Sequence, residues 1–80
     1  MTNEFRRFVQ ERDEALKSLD EAKIKAYMLK WLGRYPSNPR VFWASVHKAR
    51  LGLNTMTAQE KAASRDWLSS HGFRPVAPYE

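Results

Sequence analysis

Apolar residues recur every three to four positions along much of this chain, the spacing that places them on one face of an α-helix. The first stripe consists of Phe5, Phe8, Val9, Arg12, Ala15, Leu16 and Leu19, with Arg12 as its polar member. The second and most regular stripe consists of Ile24, Tyr27, Met28, Trp31 and Tyr35. No segment alternates apolar and polar residues long enough to predict a strand. The pattern therefore predicts an all-α fold.

Capping signals separate the first two helices. The first helix is predicted from about Glu4 to Lys17. Ser18 and Glu21 have the spacing of a capping box, in which each side chain satisfies a backbone N–H of a new helix. That second helix should end at Gly33, because glycine accepts the left-handed conformation common after the last turn.

Prolines and further caps predict two more helices. Asn38 as N-cap and Pro39 in the first turn start the third helix, which Gly52 ends. Its predicted core face consists of Phe42, Ser45, Val46 and Ala49. A capping box from Thr57 to Glu60 starts the fourth helix, with Trp67 expected to hold it against the core.

The fourth helix is expected to end at Gly72, where Leu68 and Phe73 occupy the positions that touch in a Schellman motif. Residues 1–73 are predicted to form a single compact helical domain. Two prolines predict an extended tail over residues 74–80. The longest apolar run is four residues, far short of the roughly 20 that span a bilayer, and the sequence has no cysteine. We expect no secretory signal, because no basic stretch followed by an apolar region occurs near Met1. We expect a cytoplasmic protein with no membrane partner.

The charge of the chain is concentrated in its middle. Residues 22–59 contain no Asp or Glu and seven basic residues, Lys23, Lys25, Lys30, Arg34, Arg40, Lys48 and Arg50. The three segments 1–21, 22–59 and 60–80 carry −2, +7 and 0, and the whole chain carries +5. A field of one sign attracts polyanions and anionic surfaces.

Two groups of residues in this basic segment are candidate contacts. On the second helix, Lys23, Lys30 and Arg34 lie within about 40° of one another at roughly 100° per residue. Such a row of cations follows a phosphate backbone, and the alternative is a solvated helix face.

The third helix carries the second group. Its members share a sector of about 80° beside the core stripe and are Arg40, Trp43, His47 and Arg50. Arg suits phosphate or guanine, Trp suits base stacking, and His donates hydrogen bonds. Trp and Arg are equally typical of protein interfaces, and the alternative for Trp43 is a core position with His47 and Arg50 over its ring.

Other uses of the basic segment are less favoured. The connector from Gly33 to Asn38 is longer and richer in proline than the turn of a helix-turn-helix. The amphipathic face over residues 22–35 suits membrane surfaces or calmodulin, but a domain of this size needs that face for its core.

The sequence predicts no enzyme, no metal site and no cofactor. His47 has no acidic residue within ten positions, and His71 is the only other histidine. No serine lies in a Gly-x-Ser-x-Gly elbow, and the three glycines are isolated rather than grouped in a phosphate-binding loop.

Two blocks, Val41-Phe42-Trp43-Ala44-Ser45-Val46-His47-Lys48-Ala49-Arg50 and Phe8-Val9-Gln10-Glu11-Arg12-Asp13, resemble small uncharacterised proteins encoded by bacterial phages and prophages. The resemblance implies a bacterial or phage setting. It implies no activity, and no functional residue is carried over from it.

The leading hypothesis is a non-enzymatic, basic helical module that binds nucleic acid mainly through phosphate contacts. The alternative is a protein-interaction module, either a phage factor acting on a host protein or a self-associating helical unit, with Trp43 at the contact and the basic face merely solvated. The identity of the partner and the oligomeric state stay open.

Overall fold

The computed structural model describes residues 2–77, which form four α-helices: α1 (Thr2–Ser18), α2 (Glu21–Leu32), α3 (Pro39–Leu51) and α4 (Ala58–Ser70). These residues contain no strand, so the predicted all-α fold is confirmed. The chain divides into two units, Met1–Tyr35 and Pro36–Glu80, which we call the N-terminal unit and the C-terminal unit. No helix within residues 2–77 combines the length and the apolar character needed to cross a membrane.

The predicted capping box at Ser18 is wrong. Asp20 is the N-cap of α2 and accepts a hydrogen bond from the Lys23 backbone N–H. Ser18 instead belongs to the last turn of α1, where its hydroxyl donates to the Ala15 carbonyl at 2.7 Å. Leu19 has a φ of 56°, so a leucine occupies the left-handed position between the two helices. The reversal therefore takes place over two residues, and α2 begins later than predicted.

In the N-terminal unit, α1 packs against α2. Its buried side chains are Ala15, Leu16, Ile24, Tyr27 and Met28. At one end of this core the Phe8 ring lies 6.1 Å from the Tyr27 ring and 5.5 Å from the Trp31 ring. Gly33 ends α2 with a φ of 82°, the left-handed conformation that the sequence predicts.

The predicted ends of α3 and α4 are confirmed. Asn38 caps α3 by accepting hydrogen bonds from the backbone N–H groups of residues 40 and 41, and Gly52 follows its last residue. Thr57 and Glu60 form the capping box of α4. Beyond α4, the Phe73 N–H donates to the Leu68 carbonyl at 2.9 Å, which is the long hydrogen bond of a Schellman motif.

In the C-terminal unit, α3 packs against α4. The apolar core consists of Phe42, Ala44, Val46, Leu53, Met56, Leu68 and Ala77. Ala44 was not on the predicted core face of α3, so the buried surface of this helix is wider than its apolar stripe. In the tail, the Val76 N–H donates to the Arg74 carbonyl at 2.9 Å, and residues 78–80 lie outside the described part of the chain.

Candidate nucleic-acid interface

The seven predicted contact residues are distributed over both units. Lys23, Lys30 and Arg34 belong to the N-terminal unit. Arg40, Trp43, His47 and Arg50 belong to the C-terminal unit. Each group is therefore considered within its own unit.

Lys30 is held by a carboxylate. Its Nζ donates to both Glu11 oxygens, each at 2.9 Å, across the α1–α2 contact. The Trp31 indole N–H donates to the same carboxylate at 3.0 Å, and the Lys30 ammonium lies 5.1 Å from the centre of the Trp31 ring. The hydrogen bonds from Lys30 and Trp31 lower the pKa of Glu11. The positive charge of Lys30 is thus compensated within the unit.

Helical spacing aligns two of the three predicted cations, Lys23 and Lys30, and α2 ends before Arg34. Lys23 and Lys30 line a shallow cleft of about 330 Å³, and the other residues of its wall are Glu11, Glu14, Ala15, Ala26 and Tyr27. Two acids of α1 therefore share this cleft with two lysines of α2. Arg34 is exposed but follows Gly33, beyond the end of α2, so helical spacing does not align it with the two lysines.

His47 and Arg50 lie in the interior of the C-terminal unit, with exposures of 7 % and 3 %. Both contact Ser64 of α4, which is fully buried. The Arg50 Nε donates to the Ser64 hydroxyl at 2.8 Å, and the His47 Nδ1 lies 3.0 Å from the same oxygen. The prediction that these two side chains contact a partner is corrected, because their polar groups face the interior of their own unit.

Burial also removes the charge of His47. The pKa of His47 falls from 6.5 to about 4. The main cause is the loss of solvent around the imidazole, and the nearby charges of Arg50 and His71 contribute less. Burial lowers the pKa of Arg50 as well, while the charge of Glu60 opposes that change. At neutral pH His47 is therefore a neutral imidazole that serves packing and hydrogen bonding.

Trp43 is half-buried, between the two alternatives that the sequence left open. Its ring meets Phe42 edge to face, with centroids 5.0 Å apart, and lies 6.3 Å from the His47 ring. The indole thus covers part of the core and keeps part of its surface in solvent.

Arg40 has the geometry of a contact residue. Its side chain is exposed, and its guanidinium lies 4.4 Å from the centre of the Phe73 ring. The Arg40 Nη2 donates to the His71 carbonyl at 2.7 Å. Lys48 places a second cation 5.9 Å from the same Phe73 ring. Within residues 2–77, neither Arg40 nor Lys48 forms an ion pair with a carboxylate.

Parallel aromatic rings continue from this point. The Trp67 ring lies 4.6 Å from His47, 3.9 Å from His71 and 6.2 Å from Phe73, with interplanar angles of 21°, 14° and 13°. The His71 Nδ1 lies 2.7 Å from the Trp67 carbonyl, which only accepts, so this nitrogen carries a hydrogen. We call Arg40, Lys48, Trp67, His71 and Phe73 the cation–aromatic cluster.

Four members of this cluster were not predicted as contact residues. Trp67 was assigned to the core, Phe73 to the end of α4, His71 to no role, and Lys48 only to the net charge. A signal for the cluster exists in the sequence, because Trp-x-x-x-His occurs in α3 at 43–47 and again at 67–71 at the end of α4. Residues four apart share a helix face, so the repeat indicates two neighbouring Trp-His pairs, of which Trp67 and His71 are stacked and Trp43 and His47 are tilted.

Gly72 positions the end of the cluster. Its φ of 82° is a conformation that side-chain-bearing residues rarely adopt, and it turns the chain so that Phe73 returns to Leu68. A Cβ on this residue would lie 3.5 Å from the Arg40 Nη2. That is an ordinary van der Waals distance, so the glycine is required for the turn and not for space beside the guanidinium.

No protein-family model, no curated protein and no solved structure matches this chain. The resemblance to phage and prophage proteins therefore stays a prediction that rests on the two quoted blocks. The candidate interface is defined by the contacts of this chain alone.

Proposed function

We propose that this protein is a non-enzymatic module that binds nucleic acid through the cation–aromatic cluster of its C-terminal unit. The proposal keeps the class of partner that the charge pattern predicts and changes the residues that bind it. Arg40 and Lys48 provide the phosphate contacts. Arg34, which is exposed in the N-terminal unit, is an additional cation outside the cluster.

The observation that carries this proposal is the environment of Arg40. The guanidinium is exposed, rests on the Phe73 ring at 4.4 Å, and uses one hydrogen bond among the described residues. A guanidinium has five N–H donors in a planar fork, so donors stay available for a phosphate. Stacking on a ring restricts the side chain without neutralising it. Lys30, in contrast, would have to leave the Glu11 carboxylate before it could bind a phosphate.

Fluorescence anisotropy with labelled DNA tests the proposal through two matched double variants. Arg40→Gln with Lys48→Gln, and Lys23→Gln with Lys30→Gln, each remove two positive charges. Because phosphate binding releases counterions, wild-type affinity should fall steeply with salt, and the Arg40/Lys48 variant should lower that log–log slope by roughly 1.4 to 1.8 units. The Lys23/Lys30 variant should change the slope much less.

Two outcomes would contradict the proposal. Affinity that does not depend on salt would exclude phosphate contacts as the source of binding. Equal losses in the two double variants would mean that net charge alone attracts the DNA, without a role for the cluster. Circular dichroism of both variants checks that the helices are retained.

A protein-interaction module is the second candidate function, favoured by large apolar side chains exposed in the N-terminal unit. Phe5, Leu29 and Leu32 have exposures of 67 %, 54 % and 56 %. Exposed aromatic and aliphatic groups are typical of protein contacts when they form one patch. Sedimentation analysis of wild type and Phe5→Ser tests the self-associating form, which predicts a concentration-dependent oligomer that the variant weakens.

A further inference from the structure

We propose that the nucleic acid bound by this protein is single-stranded and that His71 stacks one unpaired base. This inference rests on the proposed function and specifies its ligand. It starts from the order of the parallel rings, in which His47 is buried, Trp67 is half-buried and His71 is exposed. The stacked rings therefore run from the interior of the C-terminal unit to its surface.

His71 is the exposed member of this stack. Its ring lies 3.9 Å from the Trp67 ring at an interplanar angle of 14°, which is face-to-face packing. Apart from Trp67, no aromatic ring within residues 2–77 stacks on His71. One face of the imidazole is therefore covered by the indole, and because His71 is exposed, the opposite face is the one that we assign to a flat heteroaromatic group. A nucleobase continues the series of rings with the same geometry.

The orientation of the imidazole is fixed before any ligand binds. The His71 Nδ1–H donates to the Trp67 carbonyl at 2.7 Å, and the Trp67 ring restricts rotation from one side. A platform held in this way loses little conformational freedom when a base stacks on it. Aromatic side chains on which bases stack are the usual means by which proteins bind single strands.

A phosphate contact lies next to the platform. The Arg40 Nη2 donates to the backbone carbonyl of His71 itself, so the guanidinium and the imidazole are joined through one residue. In a single strand, a base and the phosphate of its own nucleotide are close neighbours. Arg40 therefore offers N–H donors to the backbone of the nucleotide whose base rests on His71. Lys48, whose ammonium lies 5.9 Å from the centre of the same Phe73 ring, serves a neighbouring phosphate.

A duplex does not fit this site equally well. Within a duplex both faces of each internal base are covered by neighbouring bases, so stacking on His71 requires that a base leave the helix, which costs free energy. A single strand exposes its bases without that cost. The geometry consequently favours single strands over duplexes, whereas phosphate contacts alone would not.

The experiment compares three labelled ligands of equal length: single-stranded DNA, an abasic strand with the same phosphates, and a duplex. Wild-type protein should bind the strand with bases roughly ten-fold more tightly than the abasic strand, within the range of about 5- to 150-fold expected for one stacked base. The duplex should bind more weakly than the single strand. Trp fluorescence should fall on binding of the strand with bases and change less with the abasic strand.

Two variants assign the effect to His71. His71→Ala should remove the preference for bases, so that the normal and the abasic strand bind the variant with equal affinity, and circular dichroism checks that the variant is folded. His71→Phe keeps a flat ring and should retain most of the preference. If His71→Ala fails to fold, the wild-type comparison and His71→Phe still decide the question.

The outcomes separate this inference from the proposed function. Equal, salt-dependent affinity of wild type for the abasic and the normal strand would overturn base stacking and leave phosphate binding intact. Duplex binding as tight as single-strand binding would overturn it as well. Absence of binding to all three ligands at low salt would overturn both proposals.

Discussion

The two units of this protein contain the same kinds of side chain but use their cations differently. Residues 1–35 have eight basic and six acidic residues, and residues 36–80 have six basic and three acidic residues. In the N-terminal unit, Lys30 lies over Trp31 and is also paired with Glu11. In the C-terminal unit, Arg40 lies over Phe73, and a backbone carbonyl is its hydrogen-bond acceptor.

This difference separates net charge from binding capacity. A cation paired with a carboxylate must lose that pair before it binds a phosphate, so much of the new interaction is offset. A cation stacked on a ring keeps its full charge and most of its donors while its side chain is already ordered. The partner of each cation, rather than the sum of the charges, therefore indicates where a polyanion binds.

The largest expected effect is on the stability of the C-terminal unit, and it comes from removing the buried hydroxyl of Ser64. Ser64→Ala removes the hydroxyl that meets both Arg50 and His47, so two buried polar groups lose a partner. At about 1 to 3 kcal/mol for each buried polar group that loses this partner, the free energy of unfolding should fall by roughly 3 to 5 kcal/mol. Urea unfolding measures this loss.

Ser69→Ala is the matched control for Ser64→Ala. Ser69 lies on the exposed face of the same helix, so its replacement should change the stability by about 0.5 kcal/mol or less. Equal stability of the two variants would mean that the hydroxyl of Ser64 does not stabilise the C-terminal unit.

The next effect is the pH dependence that His47 imposes on the fold. Its pKa is about 4 when folded and 6.5 when exposed, because burial disfavours the imidazolium. The unfolded chain therefore binds a proton first as the pH falls, and stability should drop between pH 6.5 and pH 4 and change little from this group below pH 4. The loss is on the order of 3 kcal/mol.

Urea unfolding at a series of pH values measures this dependence. His47→Gln should abolish most of it, since glutamine has no charge to gain. A wild-type stability that stays constant from pH 7 to pH 4.5 would contradict a buried, neutral His47.

The fold was largely predictable because local signals determine helix ends. Asn38, Thr57, Gly33 and Gly72 act through their own backbone neighbours, and each has the predicted role. The predicted cap at Ser18 was wrong because Asp20, two positions later, also has a capping side chain. It is Asp20 that accepts a hydrogen bond from the first turn of α2.

The site was less predictable because it depends on which helix covers which face. His47 and Arg50 lie in the sector that spacing indicates, yet α4 supplies Ser64 and makes that sector the interior. Lys30 was correctly placed on the surface of α2, but its spacing cannot reveal Glu11, nineteen residues earlier. The partner of a side chain across a helix pair is a tertiary property, and one helix analysed alone does not contain it.

The smallest expected effect concerns the N-terminal unit, where one substitution releases Lys30 from the carboxylate of Glu11. Glu11→Gln keeps an oxygen that accepts from the Trp31 indole but removes the negative charge that neutralises Lys30. If the ion pair is what prevents Lys30 from binding phosphate, the variant should bind DNA slightly more tightly, with a salt slope steeper by less than one unit.

Glu4→Gln controls for net charge, because it also removes one acid of α1 and lies seven residues, about two helical turns, before Glu11. Glu11→Gln should exceed it in salt slope, and adding Lys30→Gln should return the slope to the wild-type value. Acid should reproduce the release of Lys30, but only below pH 4.5, since Lys30 and Trp31 lower the pKa of Glu11. Identical slopes for Glu4→Gln and Glu11→Gln would show that the pairing does not limit Lys30, and the contrast between the two units would then rest on the rings beneath Arg40 alone.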